Sequence, residues 1–472
     1  MTNAQLTLST PRRSHAAADS AGPGRTLAVT ASATLLVLAV FSSGVTTVGD
    51  TARSVHAGVS GQTWALSAMS LGLAAALLTV GALADDLGRR RVLVWSSGLL
   101  AMTSALAALA PSMGVFVVAR ALQGAAGAGV IAASLAMIGH AFREGHSRTH
   151  ATGVWGAALG AGIAIGPLAA AGLADVLDWR SGYWAQAIAA ALLIPAAASL
   201  GESRSAEPRP LDLPGALTLG TGMALITGGF VEGRTNWSSS TTIALLAAGA
   251  LLLGSFVLHE RRSRAPMLDL HLFRNPSFVA SLSGALFTGV AIIGLMSYSP
   301  SLYQRGLGMS VLGSATVLLA WSATSVVVAL GARRLPAALR SHVRLAIGLA
   351  LAAVGEVALT GLGVGSSWPR LVPGLLLAGV GSGLANAALG RLALESVPRE
   401  RAGMGSGANN TARYIGGAAG VALVVVVVSA AGGSAGPGAL MDGWNAATLV
   451  CAALCALGAL VAVACRPRTD AT

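Results

Sequence analysis

The sequence predicts an all-α polytopic membrane protein with fourteen transmembrane helices arranged six, two and six. Three observations predict it. Of 472 residues, 54% are hydrophobic and 10% charged, against about 25% charged in soluble domains. The apolar residues gather in windows of about 20, the length a helix needs to cross hydrocarbon. Arginine, in turn, is concentrated in every second connection between those windows.

In chain order the windows predict helices over 27–48, 62–84, 92–110, 112–137, 152–173, 183–200, 213–231, 241–258, 277–298, 310–331, 345–363, 371–390, 403–430 and 443–464. Residues 1–26, polar and rich in Ser, Ala, Gly and Arg, read as a disordered tail. Helices 1–6 form a first bundle over 27–200, and the polar stretch GESRSAEPRPLDLP at 201–214 follows it. Residues 201–276 hold two inserted helices with their linkers, 277–465 a second six-helix bundle, and 466–472 a short tail. Within the second linker, Asp269 and Arg274 suit the ends of a short helix lying along the membrane face.

The formal charge of +12 comes from 30 arginines, with no lysine. Outside the spans, 23 of them fall on one side and five (Arg53, Arg180, Arg234, Arg305 and Arg370) on the other. That is the positive-inside pattern, which puts both termini in the cytoplasm of a multi-pass plasma-membrane protein. The basic charge is therefore topology, and no nucleic-acid partner is expected. The bilayer is. Cys451 and Cys455 stand one helical turn apart with Cys465 beyond; lacking a second pair or a histidine, they read as small packing residues rather than a metal site. No nucleophile–base pairing or phosphate-binding loop points to an enzyme, and no cofactor is implied.

Four patterns point to sites. The run GALADDLGRRR, from Gly81 through Asp85 and Gly88 to Arg89, Arg90 and Arg91, cannot lie in hydrocarbon and must be a tight turn at one membrane face. In helix 4, Arg120 and Gln123 share one face inside a span, where an arginine is costly unless it meets protein or water. Helix 5 carries glycines at 153, 156, 160, 162 and 166 before Pro167, a spacing at which another backbone can approach closely. In helix 13, Asn409, Asn410 and Arg413 run inward among glycines, Arg413 roughly 15 Å deep at 1.5 Å per residue. Glu356 is the one acid that these windows place in the middle of a span, where a charged group is costly and marks a site by default.

These residues together resemble the major facilitator superfamily over about 27–465. Gly81, Leu83, Asp85, Gly88, Arg89 and Arg90 match its loop motif; Arg120, Gln123 and Gly124 match its helix 4 motif; Gly162, Gly166 and Pro167 match its antiporter motif. The plan of fourteen helices, the PMLDLHLFRN stretch and the helix 13 run are similar to the drug:proton antiporter branch. The resemblance implies that Asp85 and the following arginines latch the cytoplasmic ends of helices together, that Arg120 takes part in proton coupling, and that Gly162 to Pro167 set the direction of exchange. Two departures stand out. Ser42 occupies the place of that branch's helix 1 acid, which Asp50 could replace, and Ala170 and Ala171 replace the glycines expected after Pro167.

The function expected is proton-coupled export of small hydrophobic or amphipathic compounds by alternating access, in a monomer whose partners are substrate and protons. Ser42, Thr46, Gln123, Tyr298, Tyr303, Asn409 and Arg413 are the cavity candidates, with Ser43, Thr47, Gln304 and Asn386 beside them. Arg120, Glu356 and Asp50 are the proton-coupling candidates. A uniporter or importer of a small metabolite is the alternative, and a non-transporting receptor on a transporter scaffold is a third reading.

Overall fold

The computed structural model describes residues 22–142, 146–204, 212–233, 236–263, 266, 268, 270–335, 339–397, 402–432 and 436–465. Every regular element among them is helical. The first half comprises α1 Pro23–Ser54, α2 Val59–Leu87, α3 Arg89–Ala108, α4 Met113–Ala141, α5 His146–Val176 and α6 Trp179–Ala198. A hairpin of α7 Leu213–Gly233 and α8 Ser240–Arg262 follows. The second half comprises α9 Pro276–Leu307, α10 Val311–Gly331, α11 Ser341–Ala358, α12 Leu371–Glu395, α13 Ala402–Ala430 and α14 Pro437–Ala464. Thirteen of these helices are long and apolar enough to cross a membrane. The fourteenth, α2, has 29 residues and packs among α4, α7 and α13.

Helix starts follow local chemistry. Ser112, Asp178, Ser239 and Ser310 each accept, through the side chain, a backbone N–H of the first turn of α4, α6, α8 and α10, satisfying a donor that would otherwise be orphaned. All four lie in connections on the arginine-poor side.

The helices overrun the apolar windows because they continue into the interfacial layers, where backbone polar groups still need partners. Thus α1 begins at Pro23, inside the segment 1–26 expected to be disordered. Two boundaries depart in ways that move candidate residues. The window 277–298 stops short of α9, which runs to Leu307 through a π-helical segment at Thr288–Ile293 and so carries both Tyr298 and Tyr303. The window 345–363 overshoots α11, which ends at Ala358. Gly361 and Gly365 turn the chain at φ +71° and +86°, and Leu362 is held as loop by Asn445, which accepts its N–H at 3.2 Å and donates to its carbonyl at 3.0 Å. Glu356 therefore lies in the last turn of its helix rather than at mid-span. Where a surface helix was expected before α9, a 3₁₀ turn spans Leu270–Arg274; Asp269 lies outside the described residues.

In the first half α1 packs on α5 and α4, α2 on α4, and α3 on α4 and α6. In the second, α12 packs between α10 and α11, α9 against α13, and α11 against α14. The halves meet along α2–α13 and α5–α10. Small residues set these distances, as expected where lipid supplies no hydrophobic drive between helices. A Cβ on Gly162 or Gly166 would be driven into the carbonyl oxygen of Leu35 or Ala39, so α1 and α5 touch backbone to backbone. The α7–α8 hairpin docks on α2 and α13 through α7. Asp212, at the root of α7, accepts from Gly215 N at 2.9 Å and lies 2.7 Å from His259 Nε2 of α8.

Candidate substrate path and gate

At the α2–α3 turn, Gly88 sits at φ +111°, a conformation closed to ordinary side chains. A Cβ there would also come within 2.7 Å of the Glu202 carboxyl group, which fills the turn. Glu202 Oε1 accepts from Arg90 N at 3.1 Å and Ser203 N at 3.0 Å, and its Oε2 lies 3.6 Å from Arg90 Nε and 3.9 Å from Arg91 Nε. Arg90 donates to Leu200 O at 3.3 Å, and Arg89 N to Ser203 O at 3.0 Å. A carboxylate at the start of α3 also gains from the helix dipole. The arginines of the expected latch are thus engaged by the segment leaving α6, within their own half. Glu202 was not singled out from sequence; the signal was an acid immediately after the last apolar residue of a span. Gly81 lies on α2 facing Ala132 of α4. The Asp85 side chain lies outside the described residues.

Near the arginine-poor end, Arg120 is 2% exposed and holds α1 to α4. Its NH1 donates to Val40 O and to Gln123 Oε1, both at 2.9 Å, and its NH2 to Phe41 O at 3.0 Å. Gln123 Nε2 passes the chain on to Ser104 Oγ of α3 at 2.9 Å. The Tyr183 hydroxyl of α6 lies on the same side of Gly44 as the guanidinium. Ser42 and Thr46 face α5: Ser42 Oγ donates to Leu38 O at 2.9 Å and lies 3.4 Å from Gly162 O, while Thr46 Oγ1 donates to Pro167 O at 3.2 Å. Ser42, Thr46, Arg120, Gln123, Gly162, Gly166 and Pro167 therefore form one network. The seam explains the departure at Ser42. A Cβ on Gly166 would strike Ser42 Oγ, so that place admits only a small side chain.

The other candidates fall elsewhere. Asp50 pairs with Arg53 on the last turns of α1. Asn409 Nδ2 donates to Ser281 O and Oγ, both at 2.9 Å, fastening α13 to α9. Tyr298 and Tyr303 are buried, and the Tyr303 ring meets Trp444 of α14 edge-on at 5.9 Å. Glu356 is fully buried between α11 and α14, beside the thiols of Cys451 and Cys455.

Contacts between the halves include two hydrogen bonds and an aromatic pair. Gln304 Nε2 of α9 donates to Thr46 O of α1 and to Ser314 Oγ of α10, both at 2.9 Å. Ser67 of α2 donates to Ala418 O of α13 at 3.3 Å. Deeper, Phe41 of α1 and Tyr414 of α13 meet edge-on with centroids 5.6 Å apart, and the Arg413 guanidinium lies 5.2 Å from the Tyr414 ring while donating to Asn410 Oδ1 at 2.6 Å. Around the Gln304 contact, Val45, Val48 and Leu66 join Leu302 and Tyr303 in one apolar cluster, so the arginine-poor end is closed. Phe41 and Tyr414 escaped sequence reasoning because a lone aromatic in an apolar span carries no periodic signal.

The Major Facilitator Superfamily model matches residues 27–421. The chain is 31% identical over 383 residues to the multidrug resistance protein Stp of Mycobacterium tuberculosis, covering 81% of this chain and 71% of that one. It is 33% identical over 390 residues to the puromycin resistance protein pur8 of Streptomyces alboniger, covering 78% and 74%. The crystal structure of the human organic anion transporter MFSD10 superposes with TM-score 0.62 at 20% identity, covering 93% of this chain and 99% of that one, a likeness of fold. Two six-helix halves packed against each other, a glycine turn between α2 and α3, and a match over most of the length lead to one conclusion: the chain belongs to the major facilitator superfamily, a family of membrane transporters rather than enzymes.

Proposed function

We propose that the protein exports small hydrophobic or amphipathic compounds in exchange for protons, as a monomer, with both termini and the arginine-rich loops in the cytoplasm. The observation that carries this reading is the junction of the two halves: bonded shut at the arginine-poor end through Gln304 and Thr46, with aromatic rings and a guanidinium deeper between them. Rocking of the halves about that point exchanges which face is open. The names of the relatives, multidrug and puromycin resistance proteins, support export of toxic compounds. The positive-inside distribution supports the orientation.

In this reading the turn from Gly81 to Arg91 holds the cytoplasmic gate, and Gly162, Gly166 and Pro167 form the pivot between α1 and α5. Arg120 couples the protonation state to the position of α1, whose carbonyls it grips. Glu356 is the first candidate for the proton-carrying carboxyl, being fully buried with no ion-pair partner among the described residues. Everted vesicles containing the protein, once energised, should release protons when substrate is added. Absence of substrate-dependent proton movement across a broad panel of compounds overturns proton exchange. If Glu356→Gln keeps the pH dependence of transport, the carrier lies elsewhere and Asp50 is tested next.

Uniport is the second reading, favoured by one observation: among the described residues no carboxylate contacts the Arg120 network or Arg413. Net accumulation of a labelled compound against its gradient, abolished by a protonophore, excludes it.

A further inference from the structure

Four helices from both halves place an unusual set of polar atoms at one depth. Counted from the arginine-rich ends of their helices at 1.5 Å per residue, Trp155 of α5, Trp321 of α10, Asn386 of α12 and Arg413 of α13 all stand about 14–17 Å in, half of a hydrocarbon core of about 30 Å. Each side chain is half-buried. Each nevertheless holds a polar atom that is buried and has no hydrogen-bond partner: Trp155 Nε1, Trp321 Nε1, Asn386 Oδ1 and Arg413 Nε. Three of the four are N–H donors. A buried donor left unpaired is costly, so three in one layer is a deficit of acceptors.

The helices concerned are neighbours. α5 packs on α10, and α10 on α12; Trp155 packs in the same apolar cluster as Phe41 and Tyr414. Trp155 therefore stands with the Phe41–Tyr414 contact that joins the halves, and Arg413 adjoins it through the Tyr414 ring. Its charge is one-sided. Arg120, whose Nε is also without a partner, gives its terminal nitrogens to the carbonyls of Val40 and Phe41 and to Gln123; Arg413 has Asn410 and the Tyr414 ring as its partners and makes no ion pair among the described residues. Glu356, in the last turn of α11, and Asp50, in the last turns of α1, both lie well away from this depth along their helices.

From this we infer that the transported compound is an aromatic anion, an aromatic ring system carrying a carboxylate or an ionised phenol. The anionic oxygens take the donors of Arg413 and the two indoles, a fork that suits planar oxyanions. The rings of Phe41 and Tyr414, parting as the halves rock, receive the aromatic body. An aromatic cation finds no counter-charge and meets Arg413 with like charge. The inference rests on the transport reading above, but its test does not depend on transport.

Two probes of one shape and opposite charge decide it: anthracenecarboxylate and anthracenemethylammonium, titrated against the purified protein in detergent micelles and followed by quenching of tryptophan fluorescence. The carboxylate should bind at least about tenfold more tightly than the ammonium. Arg413→Gln should weaken the carboxylate about 10- to 100-fold, the equivalent of one lost charged hydrogen bond, with Arg413→Lys recovering part of the loss. Trp155→Phe, which keeps a ring and removes the N–H, should weaken it severalfold, and carries the test together with Arg413→Lys if the glutamine variant does not fold. Equal or tighter binding of the ammonium, or unchanged carboxylate affinity in these variants, overturns the inference. Carboxylate-selective binding with no proton movement in vesicles upholds it while removing proton exchange.

Discussion

Helix α5 offers a test in which two glycines of the same helix respond in opposite directions. A methyl group on Gly156 meets nothing within 4 Å. Replacing it by alanine removes only the entropic penalty of a helical glycine, a gain of about 0.5–1 kcal/mol. A methyl group on Gly162 would collide with the Leu35 carbonyl oxygen and come within 2.8 Å of Leu38 Cβ and 3.1 Å of Ala39 N. Those neighbours are mainly the α1 backbone, which is fixed in turn by Arg120 and cannot rotate away. Overpacking of this kind costs about 1–3 kcal/mol, so the two variants should differ by about 1.5–4 kcal/mol. Reversible unfolding in mixed micelles with rising SDS measures the difference. Transport should survive in Gly156→Ala and fall in Gly162→Ala, because pushing α1 from α5 also displaces the Thr46–Pro167 bond. If both variants shift stability by the same amount and sign, α1 and α5 do not meet backbone to backbone at Gly162.

The remaining predictions concern contacts that hold elements in place. Glu202→Gln keeps the shape of the α2–α3 turn but leaves Arg90 and Arg91 without their counter-charge; at this half-exposed site the stability loss should be only about 0.5–1.5 kcal/mol, and labelling of a cysteine placed beside the turn should speed up. Asn409→Ala removes both bonds to Ser281 and should cost about 1–3 kcal/mol, seen as earlier unfolding in SDS. Gln304→Ala breaks the polar clasp to Thr46, and a cysteine introduced at Gly49, whose Cβ position lies 3.6 Å from Gln304 Oε1, should then react faster with a membrane-impermeant maleimide added from the arginine-poor side.

Much of this was legible from composition and spacing. Arg120 and Gln123, a turn apart inside a span, had to meet protein or water, and they meet the α1 carbonyls and Ser104. The glycines at 162 and 166 signalled a close partner, though not that the partner was α1 or that Gly156 in the same run faces open space. Ser42 and Thr46 read as cavity polar groups because a hydroxyl in an apolar window has no sequence mark that separates a path from a seam; both turned to α5. Glu356 was misplaced along its helix because Leu359, Leu362 and Val364 extend the hydropathy window beyond the point where Gly361 turns the chain.

The sequence by itself determined that the chain crosses the membrane repeatedly, which loops share a face, and where the tight turn after α2 must lie. Those follow from transfer energetics: hydrocarbon excludes charge and unpaired backbone, whichever helix stands next to which. Only the tertiary structure decided that Glu202 fills the Gly88 turn, that Arg120 serves the α1 carbonyls, and that Arg413 stands beside Tyr414 where the halves meet. These are pairings between residues far apart in the chain. They depend on which faces of neighbouring helices can approach closely, and hydropathy, which treats each helix alone, does not encode that.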